Sequence, residues 1–189
     1  PENFEIQMAH GASAYEQSRL EEAASAFRKA LELTPESREA RFNLGTVLLE
    51  MKDYAQAIEQ LEPLVSRQEP HDPASFNLAQ AYRAGNRREE ALQVMEELIR
   101  RSPDYPRGQF TLALLREELG DGAGAEEAYR NQIEQAPDFV PAYLNLAALL
   151  EKSDRAVEAK EQLELALARE PDHALAEQIK AAIELLGLK

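Results

Sequence analysis

Three histidines, 35 acidic residues and 21 basic ones carry what chemistry this 189-residue chain has, and cysteine is absent. Without a thiol there is no disulfide framework, no thiolate zinc site and no cysteine nucleophile. His10, His71 and His173 do not share the i, i+3 or i+4 helical spacing of a metal site, and none has a nucleophile at motif spacing. His71 and His173 stand beside Asp72 and Asp172 in turn-like sequence, whereas His10 falls on a core-facing position and is expected to be partly buried. Carboxylates recur as Glu21-Glu22, Glu89-Glu90, Glu96-Glu97 and Glu126-Glu127, the pattern of solvated helix faces. No glycine-rich phosphate loop follows a strand. The chain is expected not to be an enzyme, with no metal and no cofactor. The remaining chemistry is recognition, by apolar and carboxamide side chains that recur at a fixed distance.

The elements that position those side chains repeat. Arg41-Phe42-Asn43-Leu44-Gly45 returns as Ser75-Phe76-Asn77-Leu78-Ala79, as Gln109-Phe110-Thr111-Leu112-Ala113 and as Tyr143-Leu144-Asn145-Leu146-Ala147. A fixed period of about 34 residues is the mark of a stacked-repeat architecture. With Gly45 as position 8, the same position holds Gly11, Ala79, Ala113 and Ala147. Position 20 reads Ala23, Ala57, Ala91, Ala125, Ala159, and position 24 reads Phe27, Leu61, Met95, Tyr129, Leu163. Position 32 reads Pro35, Glu69, Pro103, Pro137, Pro171. Each repeat splits into two amphipathic halves of helical period, separated by Ser18, Lys52-Asp53, Gly85-Asn86, Gly120-Asp121 and Ser153-Asp154. Asp53 with Gln56, and Asn86 with Glu89, read as capping boxes opening the second helix. Small residues at positions 8 and 20 let the paired helices approach closely.

First helices are expected near 4–16, 37–50, 73–84, 106–118 and 140–152, and their partners near 20–32, 54–66, 88–100, 122–134 and 156–168. Pro63 lies inside one partner helix and should kink or shorten it. A further helix near 173–186, with a stripe of Leu175, Ile179, Ala182, Ile183 and Leu186, would cover the last repeat, and Gly187-Leu188 reads as its stop. The fourth repeat holds Gly108, Gly120, Gly122 and Gly124. Each glycine inside a helix costs about 0.5–1 kcal/mol against Ala, so this repeat is expected to be the most mobile link.

Small residues at 8 and 20, a bulky one at 24 and Pro at 32 resemble the tetratricopeptide repeat, over about five in-phase copies. The aromatic common at position 4 of that family appears only as Tyr143, the other copies having Gln7, Arg41, Ser75 and Gln109. The resemblance implies an all-α, right-handed α-solenoid of about five helix-turn-helix hairpins plus a C-terminal capping helix. It is read as a single domain over 1–189, with repeats near 4–35, 38–71, 72–105, 106–139 and 140–173. It also implies that the first helices line a concave groove where extended peptides or partner helices bind.

At about 100° per residue, positions 4, 7, 8 and 11 of a first helix share the packed side and positions 2, 5, 9 and 12 the other. Along that second face run Met8, Phe42, Phe76, Phe110 and Leu144 at position 5. Thr46, Gln80 and Leu114 follow at position 9, and Tyr15, Leu49 and Arg83 at position 12. Asn43, Asn77 and Asn145 at position 6 add carboxamides able to hydrogen-bond a peptide backbone. These residues are the expected peptide-binding groove. Sideways packing of the phenylalanines against neighbouring repeats is the structural alternative. Family members that clamp the C-terminal tails of heat-shock chaperones place Lys at position 5 and Asn at 9, which this chain lacks, so that tail is not the expected partner.

The formal net charge of −14 repels phosphate backbones and anionic lipid, which argues against nucleic acid and against the membrane surface. No apolar run is long enough for membrane insertion. The third repeat is the exception to the acidity, with Arg83, Arg87, Arg88, Arg100 and Arg101 balancing its acids. A protein or peptide partner is therefore expected. Self-assembly into a homo-oligomer, or service as the regulatory or targeting part of a larger enzyme, are the alternatives. The sequence marks no compartment. It fits a soluble, cytoplasmic protein, and its start at Pro1 leaves room for a lost targeting signal.

Overall fold

The computed structural model describes residues 2–66, 70–169 and 175–187. Pro171, Asp172, His173 and Leu188, which entered the reading of the sequence, lie outside them. The described residues form hairpins of α1 (Glu2–Glu16) with α2 (Leu20–Leu33), α3 (Arg38–Glu50) with α4 (Tyr54–Leu61), and α5 (Asp72–Ala84) with α6 (Arg88–Arg101). They continue as α7 (Gly108–Glu118) with α8 (Gly122–Gln135), and α9 (Val140–Lys152) with α10 (Ala156–Arg169), followed by α11 (Ala176–Gly187). The architecture is all-α. The chain divides into two compact units, residues 1–102 and 103–189.

Each hairpin turn is made the same way. Ser18, Lys52, Asn86, Gly120 and Asp154 have φ of 58°, 63°, 64°, 84° and 59°, and all five stand at position 15. The following N–H reaches back across the turn, Arg19 to Ala14 O at 2.9 Å, Asp53 to Leu48 O at 2.9 Å and Arg87 to Tyr82 O at 2.8 Å, with the same bond at Asp121 and Arg155. A left-handed residue followed by this backward bond is how a helix satisfies its last carbonyls. The left-handed position excludes Asn86 from capping α6: Arg87 precedes that helix without a side-chain cap, and the Asn86 Oδ1 accepts from Arg88 instead. Asp53 does cap α4, accepting the Gln56 N–H at 3.2 Å.

The small residue at position 8 is explained by the bulky one at 24. A Cβ on Gly45 would lie 2.7 Å from Leu61, and one on Gly11 2.6 Å from Phe27, distances real Cβ atoms do not tolerate. In the first unit the core runs through Phe27, Leu44, Leu48, Leu61, Leu78, Met95 and Leu98; in the second through Leu115, Tyr129, Tyr143, Leu146 and Leu150, all buried. The packed side of the first helices is wider than the angular count predicts. Position 3 (Ala40, Ala74, Ala142) and position 10 (Val47, Ala81, Leu149) are buried as well, because α3, α5 and α9 each lie between their own partner and the preceding hairpin. His10 departs from expectation. Its side chain is 50% exposed and its Nε2 lies 2.7 Å from Glu22 Oε1, because α1 packs chiefly on α2 and no preceding hairpin among the described residues covers it.

Pro63 ends α4 at Leu61, after which the chain continues as a short 3-10 turn, Glu62–Leu64. Proline has no N–H to give and its ring crowds the preceding turn. On α11, Ile179 and Leu186 are buried and Ala182 and Ile183 half-buried, while Leu175 is exposed just before it.

Candidate functional site

The position-5 side chains do not share one environment. Met8 is buried, whereas Phe42, Phe76, Phe110 and Leu144 are half-buried. In the first unit Tyr15, Phe42, Asn43 and Thr46 converge, with Ala12, Phe27 and Val47, around a cavity of about 200 Å³. The Tyr15 hydroxyl donates to a Glu50 carboxylate oxygen. That bond first, and burial second, push the phenol up to about 12, so it remains a donor at neutral pH.

The three asparagines separate into different roles. Asn77 donates its Nδ2 to Thr46 Oγ1 at 2.9 Å, and that hydroxyl donates to the Phe42 carbonyl at 3.0 Å. Asn77 therefore ties α5 to α3. Asn145 donates to the Tyr129 hydroxyl at 3.4 Å. Asn43 borders the cavity, and its carboxamide has no hydrogen-bond partner among the described residues. Donor and acceptor are both left available there.

Phe42 is covered on one edge by His71, ring centroids 4.7 Å apart. His71 was read only as a turn residue; it caps α5, its Nδ1 accepting the Ala74 N–H at 3.0 Å. Burial, and next the positive charge of Arg38, lower its pKa from the ordinary histidine value, against a smaller opposing pull from Asp72. Asp72 is itself fixed. Arg101 Nη2 lies 2.6 Å from its Oδ1 and the Ser102 hydroxyl donates to its other oxygen. Burial alone would raise this carboxyl, but the two donors outweigh it and hold it below the usual range.

In the second unit Phe110, half-buried like Phe42, meets rings on two sides. Its ring lies 5.0 Å from Phe139, edge-on, and 5.8 Å from Tyr129. Leu144 packs against Val140, Tyr143 and Ala166. Leu49, Gln80, Arg83 and Leu114 are half-buried and do not border the first-unit cavity. Among the third-repeat arginines, Arg87 pairs with Glu90, and Arg100 with Glu97 at 2.7 Å, the ordinary solvated helix pairs. Among the described residues no group of three or more His, Asp or Glu is arranged to hold a metal ion, and no helix is long and apolar enough to cross a membrane.

Sequence reading passed over two residues near the cavity, Glu16 on its wall and Glu50 at the Tyr15 hydroxyl. Both stand at position 13, one place beyond the face counted from 100° steps. It also passed over Gln132, 3% exposed. A signal for that one existed, since position 27 otherwise reads Ala30, Leu64, Leu98 and Ala166, and a carboxamide breaks an apolar column.

Hairpins closed by one repeated turn, with a small-on-bulky contact inside the first two, define a helical-repeat interaction scaffold. The chain belongs to the tetratricopeptide-repeat family, whose model matches residues 14–70, 48–115 and 117–183, a family of protein-interaction scaffolds. Similar solved structures include MamA from Desulfovibrio magneticus RS-1, at 17% identity and TM-score 0.85 over 92% of this chain and 98% of that one. Pseudomonas aeruginosa pilF is 22% identical with TM-score 0.74, over 99% and 90% of the two chains. YrrB, a tetratricopeptide-repeat protein with an unusual peptide-binding site, is 20% identical with TM-score 0.76, over 93% and 90%. At these identities the likeness is one of fold. No curated protein matches the chain.

Proposed function

We propose that the chain is a scaffold that holds a peptide or partner helix against the position-5 face of its first helices, with the first-unit cavity as the principal anchor site. The observation that carries this reading is the cavity of about 200 Å³ beside Phe42, with the unpaired Asn43 carboxamide on its wall. Phe42, Tyr15 and Val47 supply apolar surface for one inserted side chain, and Asn43 supplies both halves of a main-chain hydrogen-bond pair. A buried anchor surrounded by weaker contacts is the usual distribution of energy in such an interface. The peptide-binding site of YrrB supports the reading by analogy of fold. Within the first unit the proposed face also takes in Phe76, Asn77, Gln80 and Arg83; in the second unit Phe110, Leu114, Leu144 and Asn145 hold the corresponding positions.

The test is to select peptides from a random library against the chain and titrate the best into Phe42→Ala and Asn43→Ala by calorimetry. Both variants are expected to fold and to bind more weakly. Unchanged affinity in both would move the binding face elsewhere.

A second reading, self-assembly, is favoured by Val157 and Leu185, which are 74% and 65% exposed on α10 and α11. Light scattering separates the two, because a monomer at all concentrations disposes of self-assembly.

A further inference from the structure

The turn that opens α7 departs from the others in its backbone. Arg107 has φ of 58°, yet it stands at position 2, not at position 15 where the remaining left-handed residues form the hairpin turns. A side chain other than glycine in that region is strained, and strain is retained where surrounding structure imposes it. Arg107 gives α7 no side-chain cap. The cap comes from another helix: Gln132 of α8 accepts the Phe110 N–H on its Oε1 at 3.1 Å.

That bond also fixes the orientation of the carboxamide. A backbone N–H only donates, so the atom facing it is the carbonyl oxygen and the other is the NH₂. Gln132 is 3% exposed, and among the described residues its NH₂ has no partner. Among the described residues no buried side-chain polar atom lacks a partner, so this NH₂ is reached by solvent and is open to a ligand. Gln132 lines a cavity of about 270 Å³ together with Asp104, Tyr105, Pro106, Arg107, Ala136 and Phe139. Gln135, also on the wall, is engaged elsewhere, donating to the Pro103 carbonyl at 3.1 Å.

The chemistry of the walls selects the occupant. A cation would meet Arg107 and leave the Gln132 donor unused. A purely apolar group would bury that donor unsatisfied. A dianion would bring a second negative charge for which the lining holds no second cation beside Arg107, next to Asp104 in a chain of net charge −14. A single carboxylate accepts from the amide and pairs with the guanidinium, while an apolar body lies against Tyr105, Pro106 and Phe139. We propose that this pocket is a second binding site, separate from the position-5 face, for a small monocarboxylate with an aromatic or aliphatic body.

The probe is 3-phenylpropionate, titrated into the isotope-labelled full chain and followed by amide NMR, with 3-phenylpropanamide and 3-phenylpropylamine in parallel. The carboxylate is expected to shift the backbone of 104–110 and the side-chain NH₂ of Gln132. The amide should bind about tenfold more weakly and the amine not at all. Gln132→Glu keeps the oxygen that caps α7 and replaces the donor by a negative charge, so affinity should fall at least about tenfold at unchanged helix content. Arg107→Gly should raise the melting temperature by releasing the left-handed strain while weakening the carboxylate. This second variant keeps the test decisive if Gln132→Glu fails to fold. The proposal is overturned if the probe gives no shifts at about 10 mM, if the amide or amine binds as well as the carboxylate, if Gln132→Glu folds and binds like the unaltered chain, or if the shifts fall on 42–46 instead.

Discussion

Phe42 and Phe110 hold the same position in two repeats and meet different surroundings. Each is covered on one side by position 34, the residue preceding the next first helix: His71 for Phe42, Phe139 for Phe110. On its other side Phe110 meets Tyr129, whereas Phe42 opens onto the cavity. A phenylalanine at position 5 is thus neither a core residue nor a recognition residue by itself. Its neighbours at positions 24 and 34 decide. These ring contacts come from the same repeat as each phenylalanine, not from the neighbouring one, and at Phe42 they leave surface uncovered.

The largest effect expected from this contrast is on stability. Phe110→Ala should cost about 2 kcal/mol, because it loses two ring contacts, and Phe42→Ala, with one, about 1 kcal/mol. Urea unfolding of the two variants measures both, and equal costs would erase the distinction. The converse holds for binding. A peptide selected on the chain should lose about 1–2 kcal/mol of affinity with Phe42→Ala, with less loss for Phe110→Ala measured on folded protein; the reverse order would make the second unit the anchor.

Next in size is a pH effect confined to the Phe42 side. The folded chain holds His71 below its ordinary pKa of 6.5, so neutral imidazole is favoured by folding. The associated stability is complete above that ordinary value and is lost as pH falls from it toward the folded one. Protonated Nδ1 becomes a donor and can no longer accept from Ala74, so the loss should be about 1 kcal/mol or less, the worth of a side-chain cap. Thermal unfolding at pH 7 and pH 5 should show this component, and His71→Asn, which keeps a cap acceptor, should remove it. A pH response of the same size in His71→Asn would assign it to other groups.

The smallest effect concerns the glycines of the fourth repeat. A Cβ on Gly122 would meet only Leu149, at 3.9 Å, so Gly122→Ala should stabilise by about 0.5 kcal/mol. Amide exchange in 120–127 is expected to be faster than in 88–99 and to slow in this variant. Equal protection of the two stretches from the outset would show that the glycines do not loosen the repeat.

Much of the fold was legible because a repeat prints the same physical constraint several times. One small-on-bulky contact accounts for Gly45 with Leu61 and Gly11 with Phe27, and Pro63 marked the early end of α4 through its missing donor. Turns were harder to read. Asn86 looks like a cap from its chemistry, but position 15 requires a left-handed backbone in every hairpin, and that requirement belongs to the closed turn rather than to asparagine. His10, expected to be partly buried, keeps half of its side chain exposed, since core-facing is a property of having a neighbour and no described helix packs on that side of α1.

For the candidate site the division is sharper. The 34-residue period and the 100° step determined by themselves which side chains face away from the leucine stripe, because helical geometry is local and the repeat sets its phase. Only tertiary structure decided that Asn77 and Asn145 use their donors on Thr46 and Tyr129 while Asn43 does not. It also decided that Phe42 borders a cavity while Phe110 meets a second ring, Tyr129, and that Gln132 turns one end of its amide to a distant N–H and leaves the other unpaired. Those outcomes depend on residues 16 to 31 positions away in the chain. Pairing over such distances is set by how helices pack against each other, which no single-helix periodicity contains.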